Sequence, residues 1–240
     1  MHNMDNFWES TLPSNYYDFL LKEGFYKNKG IQANWHNITF IKVQSSIKST
    51  KKHLDFACGS GSFIGNYLTQ ELIGVDISLN QINYAKKTYG QLSDFYTLDE
   101  FDFKKYHQYF DSISVIGLLE YLDENDTLDL MENLYSILKD GGKLILTTPN
   151  YSAPMSFLEK LSHFLGPINY SKEHKNKYRY KQLVDTLNKT NFMSIKIQKF
   201  MNFGVLFSVF NLKLGLKIVN KIDNILKNKF GLLFFIELKK

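Results

Sequence analysis

The sequence predicts an α/β protein built on a doubly wound, seven-stranded, mostly parallel sheet, preceded by an N-terminal helical cap. Three observations predict it. Short apolar strand-like runs alternate with helix-like patterns from about residue 53 to residue 148. A glycine-rich loop joins the first such strand to the first such helix. About fifty residues of helical character come before that strand.

Each element follows from local pattern. Tyr16, Tyr17, Phe19 and Leu20 suggest a first helix, and Ile31 to Ile47 a second. His53–Ala57 is a short apolar strand, and Ser62–Leu68 the helix after its loop. Glu71–Val75 is the second strand, closed by Asp76. Ser78 is placed to cap a helix over Leu79–Tyr89, with Ile82 and Ala85 on its inner face. Asp94–Leu98 and Phe110–Ile116 are the third and fourth strands. Asp126 is the expected cap of a helix carrying Leu130, Leu134, Ile137 and Leu138, stopped by Gly141-Gly142. Lys143–Thr148 is the fifth strand. Beyond Pro149 come a helix near Ser156–Phe164, a charged loop over Ser171–Lys177 and a helix holding Leu183 and Leu187. A strand over Met193–Phe200, an amphipathic helix over Phe210–Lys227 and a last strand over Gly231–Leu238 complete the chain. The organisation expected is a cap (1–50), a ligand-binding core (51–150), and acceptor-side helices with the last two strands (151–240), the last part including a basic insertion at 201–231.

The chain has 240 residues, 44% of them hydrophobic and 22% charged, which excludes disorder and suits one domain with a full core. Its charge is uneven. Residues 171–240 hold 15 basic against 4 acidic residues, a net of +11; the first 170 hold 14 against 20, a net of −6; together they give the overall +5. Arg179 is the only arginine, and no basic run is interleaved with aromatics, so nucleic acid is not an expected partner. The single cysteine, Cys58, fits a reducing cytosol and reads as a small loop residue. Residues 1–10 lack a basic region followed by an apolar run, so no signal peptide is expected. No Cys/His cluster suggests a metal.

The loop is Leu54-Asp-Phe-Ala-Cys-Gly-Ser-Gly61. Glycines there let the backbone turn sharply and approach a ligand. Dinucleotide enzymes carry such loops as well. Two features separate the ligands. Gly59, Gly61 and Gly65 are spaced G-x-G-x-x-x-G rather than G-x-G-x-x-G. Asp55 lies four residues before Gly59, where a carboxylate repels a pyrophosphate but favours an ammonium and a sulfonium, as in S-adenosylmethionine. Asp76, ending the second strand, suits a ribose diol, in this cofactor or in NAD alike; a helix cap is its structural alternative.

The order and spacing of four segments carry a resemblance. They are Leu54–Gly61, Gly74-Val-Asp-Ile-Ser78, Phe110–Tyr121 and Leu138–Asn150. Over residues 50–150 the chain resembles the class I S-adenosylmethionine-dependent methyltransferases, especially the ubiquinone-biosynthesis-like branch, with their Rossmann-like fold. The resemblance implies that Asp55, with Phe56 and Ala57, lies near the methionine end and that Gly59 and Gly61 line the cofactor. It implies that Asp76 holds the ribose, that Ile77 packs on adenine, and that Asp99, or alternatively Leu98, meets the adenine amino group. Ile116 and Gly117 would line the cofactor from the fourth strand, and the last strand would run antiparallel to its neighbours. One departure matters. Many relatives carry a His after the Glu of the fourth strand's trailing motif, where this chain has Glu120-Tyr121.

Methyl transfer needs a base only when the acceptor still holds its proton. The candidates are His36, which shares a helix face with Gln32 and Trp35, His163 on the helix after Asn150, and His174 in the charged loop. For His36 the alternative is an aromatic cap face docked on the core; for His174 it is a solvated loop. His53 reads as structural. Tyr16, Tyr17, Trp35, Asn150 and Tyr151 are the expected acceptor-side residues. In the basic C-terminal helix, Lys213, Lys217, Lys221 and Lys227 surround Leu214, Leu216, Ile218, Val219, Ile222 and Leu226. That pattern reads as a solvated face or as a surface for phosphates, on a nucleotide-activated sugar or on anionic lipid. The expected activity is O-methylation of a small or saccharide-type acceptor, as in surface-polysaccharide pathways. The alternatives are a quinone or lipid precursor and a catalytically inactive cofactor-binding scaffold. The expected location is cytoplasmic, with peripheral contact at the inner membrane face as a variant.

Overall fold

The computed structural model describes residues 7–151, Met155, Leu158 and 173–240. Two helices come first, α1 (Tyr16–Lys27) and α2 (Ile31–Ile47). Then follow β1 (Lys52–Phe56), α3 (Ser62–Tyr67), β2 (Glu71–Asp76), α4 (Leu79–Tyr89), β3 (Asp94–Thr97) and β4 (Phe110–Ile116). The chain continues through α5 (Glu124–Ile137), β5 (Leu138–Pro149), α6 (Tyr180–Leu187), β6 (Ser194–Phe200), α7 (Leu212–Leu226) and β7 (Leu233–Lys239).

The seven strands form one sheet in the order β3-β2-β1-β4-β5-β7-β6. β1 to β5 run parallel, and β7 is antiparallel to both β5 and β6. The strands read as apolar runs because helices cover both faces. On one face Leu54, Ile113, Val115 and Leu144 pack with Met131, Leu134 and Ile137 of α5 and with Leu183 and Leu187 of α6. On the other, Ile145 and Phe235 pack with Val43 and Ile47 of α2 and with Ile82 and Ala85 of α4. Each buried Val, Leu, Ile, Met or Phe among them contributes about 1.5–3 kcal/mol.

α1 is clamped to this core through Asp18. Its buried carboxylate accepts from Tyr84 Oη at 2.7 Å and Tyr89 Oη at 2.6 Å and pairs with Lys22 at 2.8 Å. Burial opposes its ionisation, but the hydrogen bonds from Lys22, Tyr89 and Tyr84 outweigh it and hold the carboxyl below its ordinary value. A helical turn at Phe7–Thr11 is fastened to α4: Ser78 Oγ donates to Glu9 Oε2 at 2.7 Å.

The periodicity places the helices closely, since Ile31–Ile47 and Leu79–Tyr89 carry the expected bounds and Ser78 caps α4 by accepting from Gln81 N. Two expectations around α5 are corrected. Its cap is Asp123, not Asp126; Asp123 Oδ1 accepts from Asp126 N at 2.9 Å, so Asp126 lies inside the first turn. Gly141-Gly142 does not stop the helix, which ends at Ile137. Leu138 already pairs with Phe110, and the register then jumps to Ser112 opposite Lys143, so the glycines form a bulge in β5. The helix expected near Ser156–Phe164 lies outside the described residues, apart from Leu158.

Candidate functional site

In a sheet ordered 3-2-1-4-5, neighbouring connections leave β1 and β4 toward opposite faces, and a crevice opens beyond their carboxyl ends. A cavity of about 990 Å³ lies there, lined from the ends of β1, β2, β4 and β5 and closed by α1, α2 and the Phe7–Thr11 turn.

The loop after β1 is wound tightly. Ala57, Gly59 and Gly61 all have left-handed backbone, with φ of 63°, 53° and 75°. An alanine pays strain in that region, which marks a backbone held for a purpose. A Cβ on Gly59 would sit 3.0 Å from Gln81 Oε1, on the cavity side of the loop. A Cβ on Gly61 would meet Phe95 and Ala85 instead. Ala57 and Gly59 therefore form cavity wall, whereas Gly61 is a packing position behind it.

Two carboxylates stand on adjacent strand ends. Asp76 accepts from Gly59 N at 2.8 Å and from Ser78 N at 3.0 Å, tying the second strand to the glycine loop. It is not the cap of α4, since Ser78 is. Burial pushes its pKa up against the backbone bonds that favour its charge. Asp55 is buried and accepts from Ser114 Oγ at 2.6 Å. Burial pushes it up to about 7, the Ser114 bond working against this and the charge of Asp76 adding to it. Behind Asp55 runs a buried polar chain. His53 Nε2 lies 3.0 Å from Ser114 Oγ, and His53 Nδ1 lies 2.8 Å from Ser112 Oγ. Burial lowers this imidazole to about 3, so it is neutral, and the donation from Ser114 to Asp55 places the His53 proton on Nε2.

The site fits a cationic nucleoside. It holds two carboxylates whose charge burial disfavours and which no ion pair neutralises among the described residues. It also holds a buried acceptor, Gln81 Oε1, that has no hydrogen-bond partner. Each such group gains when a donor or a positive charge enters. Ile77, Leu98, Phe101 and Ile116 add apolar side chains to the cavity wall.

Aromatic and aliphatic side chains make up much of the remaining wall: Trp8, Tyr16, Tyr17, Trp35, Phe40, Leu118, Leu122 and Leu130 line it. His36 packs edge-on against Tyr17 at 5.3 Å and at a tilt against Phe40 at 5.9 Å, and burial lowers its imidazole to about 4. It is a neutral member of an aromatic wall and a weak base. His174 also lines the cavity, its ring 5.0 Å from Tyr121 and its Nδ1 2.7 Å from Tyr151 Oη. Glu120 lines the same cavity. It is buried, Thr148 Oγ1 donates to its Oε2 at 3.0 Å, and its Oε1 is 3.6 Å from the place a Cβ on Gly117 would take. Burial pushes its pKa up to about 7, against hydrogen bonds from its own backbone and Thr148.

Most residues singled out in the sequence meet at this cavity: Asp55, Phe56, Ala57, Gly59, Asp76 and Ile77 from the first two strands, Leu98, Ile116 and Gly117 from the next two, and Tyr16, Tyr17, Trp35, His36 and His174 around them. Asp99 does not; it is exposed beside Leu98, and the wall takes Leu98. Asn150 and Tyr151 are buried behind the wall, where Asn150 Nδ2 donates to Gly231 O and Tyr151 holds His174. His163 lies outside the described residues. Cys58 is buried against the second strand, with its thiol pushed up by burial. Gln81 and Glu120 were not picked out by sequence reasoning. Glu120 had a signal in its place just before the substituted Tyr121; Gln81 had none.

A family model described as a methyltransferase domain matches residues 31–197. No curated protein matches the chain at a significant level. Among solved structures, the chain is similar to a magnesium protoporphyrin IX methyltransferase from Synechocystis PCC 6803 with bound SAH, at 14% identity, covering 99% of this chain and 98% of that one, with a TM-score of 0.62. It is also similar to a SAM-dependent methyltransferase from Archaeoglobus fulgidus, at 21% identity, covering 84% and 94%, with a TM-score of 0.53. A possible exported protein from Bordetella parapertussis aligns at 11% identity, covering 95% and 79%, with a TM-score of 0.63. At these identities the structural likeness speaks for the fold.

Proposed function

We propose that this chain, which belongs to the class I S-adenosylmethionine-dependent methyltransferases, O-methylates a small acceptor held against the aromatic wall of its cavity. The observation that carries this reading is Glu120, a buried carboxyl with a pKa of about 7 that lines the cavity. A general base works best when its pKa lies near the working pH, and Glu120 has that property next to Tyr121, where many relatives of the resembled family carry a histidine.

The cofactor supplies an electrophilic methyl group on a sulfonium. The protein supplies position, which alone contributes on the order of 7–11 kcal/mol. Asp76, held by Gly59 N and Ser78 N, would present its carboxylate to a ribose diol. Asp55, held by Ser114, would face the cationic end. Ile77 and Leu98 would form apolar walls for the adenine. Tyr17, Trp35 and His36 line the cavity from the N-terminal helices. Glu120, oriented by Thr148, takes the acceptor's hydroxyl proton on its carboxylate. Tyr151 fixes His174 on the same side, where it orients the acceptor.

The composition of the acceptor wall favours an aromatic or otherwise apolar acceptor. The motif resemblance to the ubiquinone-biosynthesis-like branch supports the same class. The test is Glu120→Gln, assayed with labelled cofactor against a panel of apolar hydroxyl compounds. The variant should lose about 10²–10⁴-fold in kcat with cofactor affinity unchanged. The rate of the unaltered enzyme should rise with pH through about 7. Full activity in the variant would remove Glu120 from the reaction.

A further inference from the structure

We propose that the segment between β6 and β7 is a membrane-contact surface that seats the cavity mouth on an anionic lipid bilayer. The inference stands on the arrangement of α7 and the 3₁₀ turn Phe203–Val209 before it, and it holds whichever acceptor the cavity takes.

Lys213, Lys217 and Lys221 recur every four residues and form one exposed stripe along α7. Leu212, Gly215 and Val219 form the opposite, buried face. Between stripe and core, on one edge, lie Leu214 and Ile225, both exposed. The 3₁₀ turn packs along that edge: Gly204 approaches Ile218 and Val219, and Gly215 approaches Ser208. Its exposed side chains therefore continue the edge. Phe203, Leu206, Phe207, Val209, Phe210 and Leu214 are all exposed within twelve residues, Phe210 by 75%. Scattered exposed apolar residues are ordinary, but a contiguous group bordered by charges of one sign is a contact surface.

Charge selects the partner. From Phe203 to Leu226 the only acid is Asp223, and it is engaged with Asn202 and with Met201 N. The surface thus offers lysines with no counter-charge of its own, and the C-terminal part of the chain carries a net +11. A two-fold contact with a second copy would set these lysines against each other. Lipid phosphates complement them, while phenylalanines enter the headgroup boundary and lysine stems stay above it. The helix has 15 residues, too short to span a bilayer, so it lies on the surface. Position supplies the second argument. Phe203 and Leu206 are exposed and also line the cavity, so the apolar surface runs directly into its mouth.

The test is co-sedimentation of the full chain with phosphatidylcholine vesicles, with and without one third phosphatidylglycerol. Binding to the anionic vesicles, weakened by salt and weak on neutral ones, is expected. K213Q/K217Q/K221Q should lose about fivefold per lysine, roughly 100-fold in all. F207S/F210S should lose binding at every salt concentration. Cofactor affinity by calorimetry should stay unchanged in both variants, which separates this inference from the proposed activity. No binding of the unaltered chain to anionic vesicles would overturn it. So would undiminished binding of the lysine variant, or self-association in solution that F207S/F210S abolishes.

Discussion

Asp55 makes cofactor binding and protein stability depend on pH in opposite directions. Its carboxyl has an ordinary pKa of 3.8, and burial, moderated by Ser114 and reinforced by Asp76, pushes it up to about 7 in the folded chain. Below pH 4 the group is protonated in folded and unfolded chains and does not affect stability. Between about pH 4 and 7 the unfolded chain releases the proton while the folded chain keeps it, so stability falls as pH rises. Above pH 7 the full penalty remains, on the order of 4 kcal/mol. A cationic ligand reverses the preference, because it pairs with the ionised carboxylate. At pH 5 only about one molecule in 100 is ionised, so affinity for S-adenosylmethionine should be roughly 100-fold weaker than at pH 7.5, and binding at pH 6 should release a proton. Calorimetry from pH 5 to 7.5, in two buffers of different ionisation enthalpy, measures both effects. Asp55→Asn keeps the acceptor for Ser114 but removes the charge. It should raise the melting temperature at pH 8 and weaken cofactor binding at least tenfold. An affinity flat between pH 5 and 7.5, or an Asn variant that binds normally, would refute the assignment.

Two further substitutions test the proposed nucleoside contacts. Asp76→Ala removes the acceptor that Gly59 N and Ser78 N hold in place, and cofactor affinity should fall at least tenfold in a calorimetric titration. Gln81→Leu removes the buried, unpartnered Oε1; thermal melts should show the empty protein stabilised by about 1–3 kcal/mol, with the cofactor bound more weakly. An unchanged melting temperature would mean that this oxygen is not orphaned in solution.

The architecture was legible because it is written in local pattern. The alternation of apolar runs with 3.6-residue patterns gives every strand of the sheet, and Ser78 announces the start of α4. The errors around α5 are also local. Asp123 and Asp126 both precede the apolar pattern, and only the backbone conformation selects the first. Gly141-Gly142 suits a helix end and a bulge alike, and the pairing of Leu138 with Phe110 decides for the bulge. In the site, the residues on strand ends were legible, because a motif fixes their place: Asp55, Gly59 and Asp76 stand together at the cavity. Residues whose character depends on distant neighbours were not. Glu120 is poised near 7 because the surrounding strands exclude water from it. Gln81 is an ordinary helix residue until the glycine loop folds over it. His36 has the sequence of a candidate base, yet the aromatic wall makes it a weak one.

The central claim is that a pair of strand-end carboxylates selects a cationic nucleoside as ligand. Titration of the purified chain with S-adenosylmethionine and, separately, with NAD tests it most directly. Saturable binding of S-adenosylmethionine near pH 7.5, with none of NAD, is the result predicted. Tight binding of NAD, whose pyrophosphate Asp55 should repel, would contradict it.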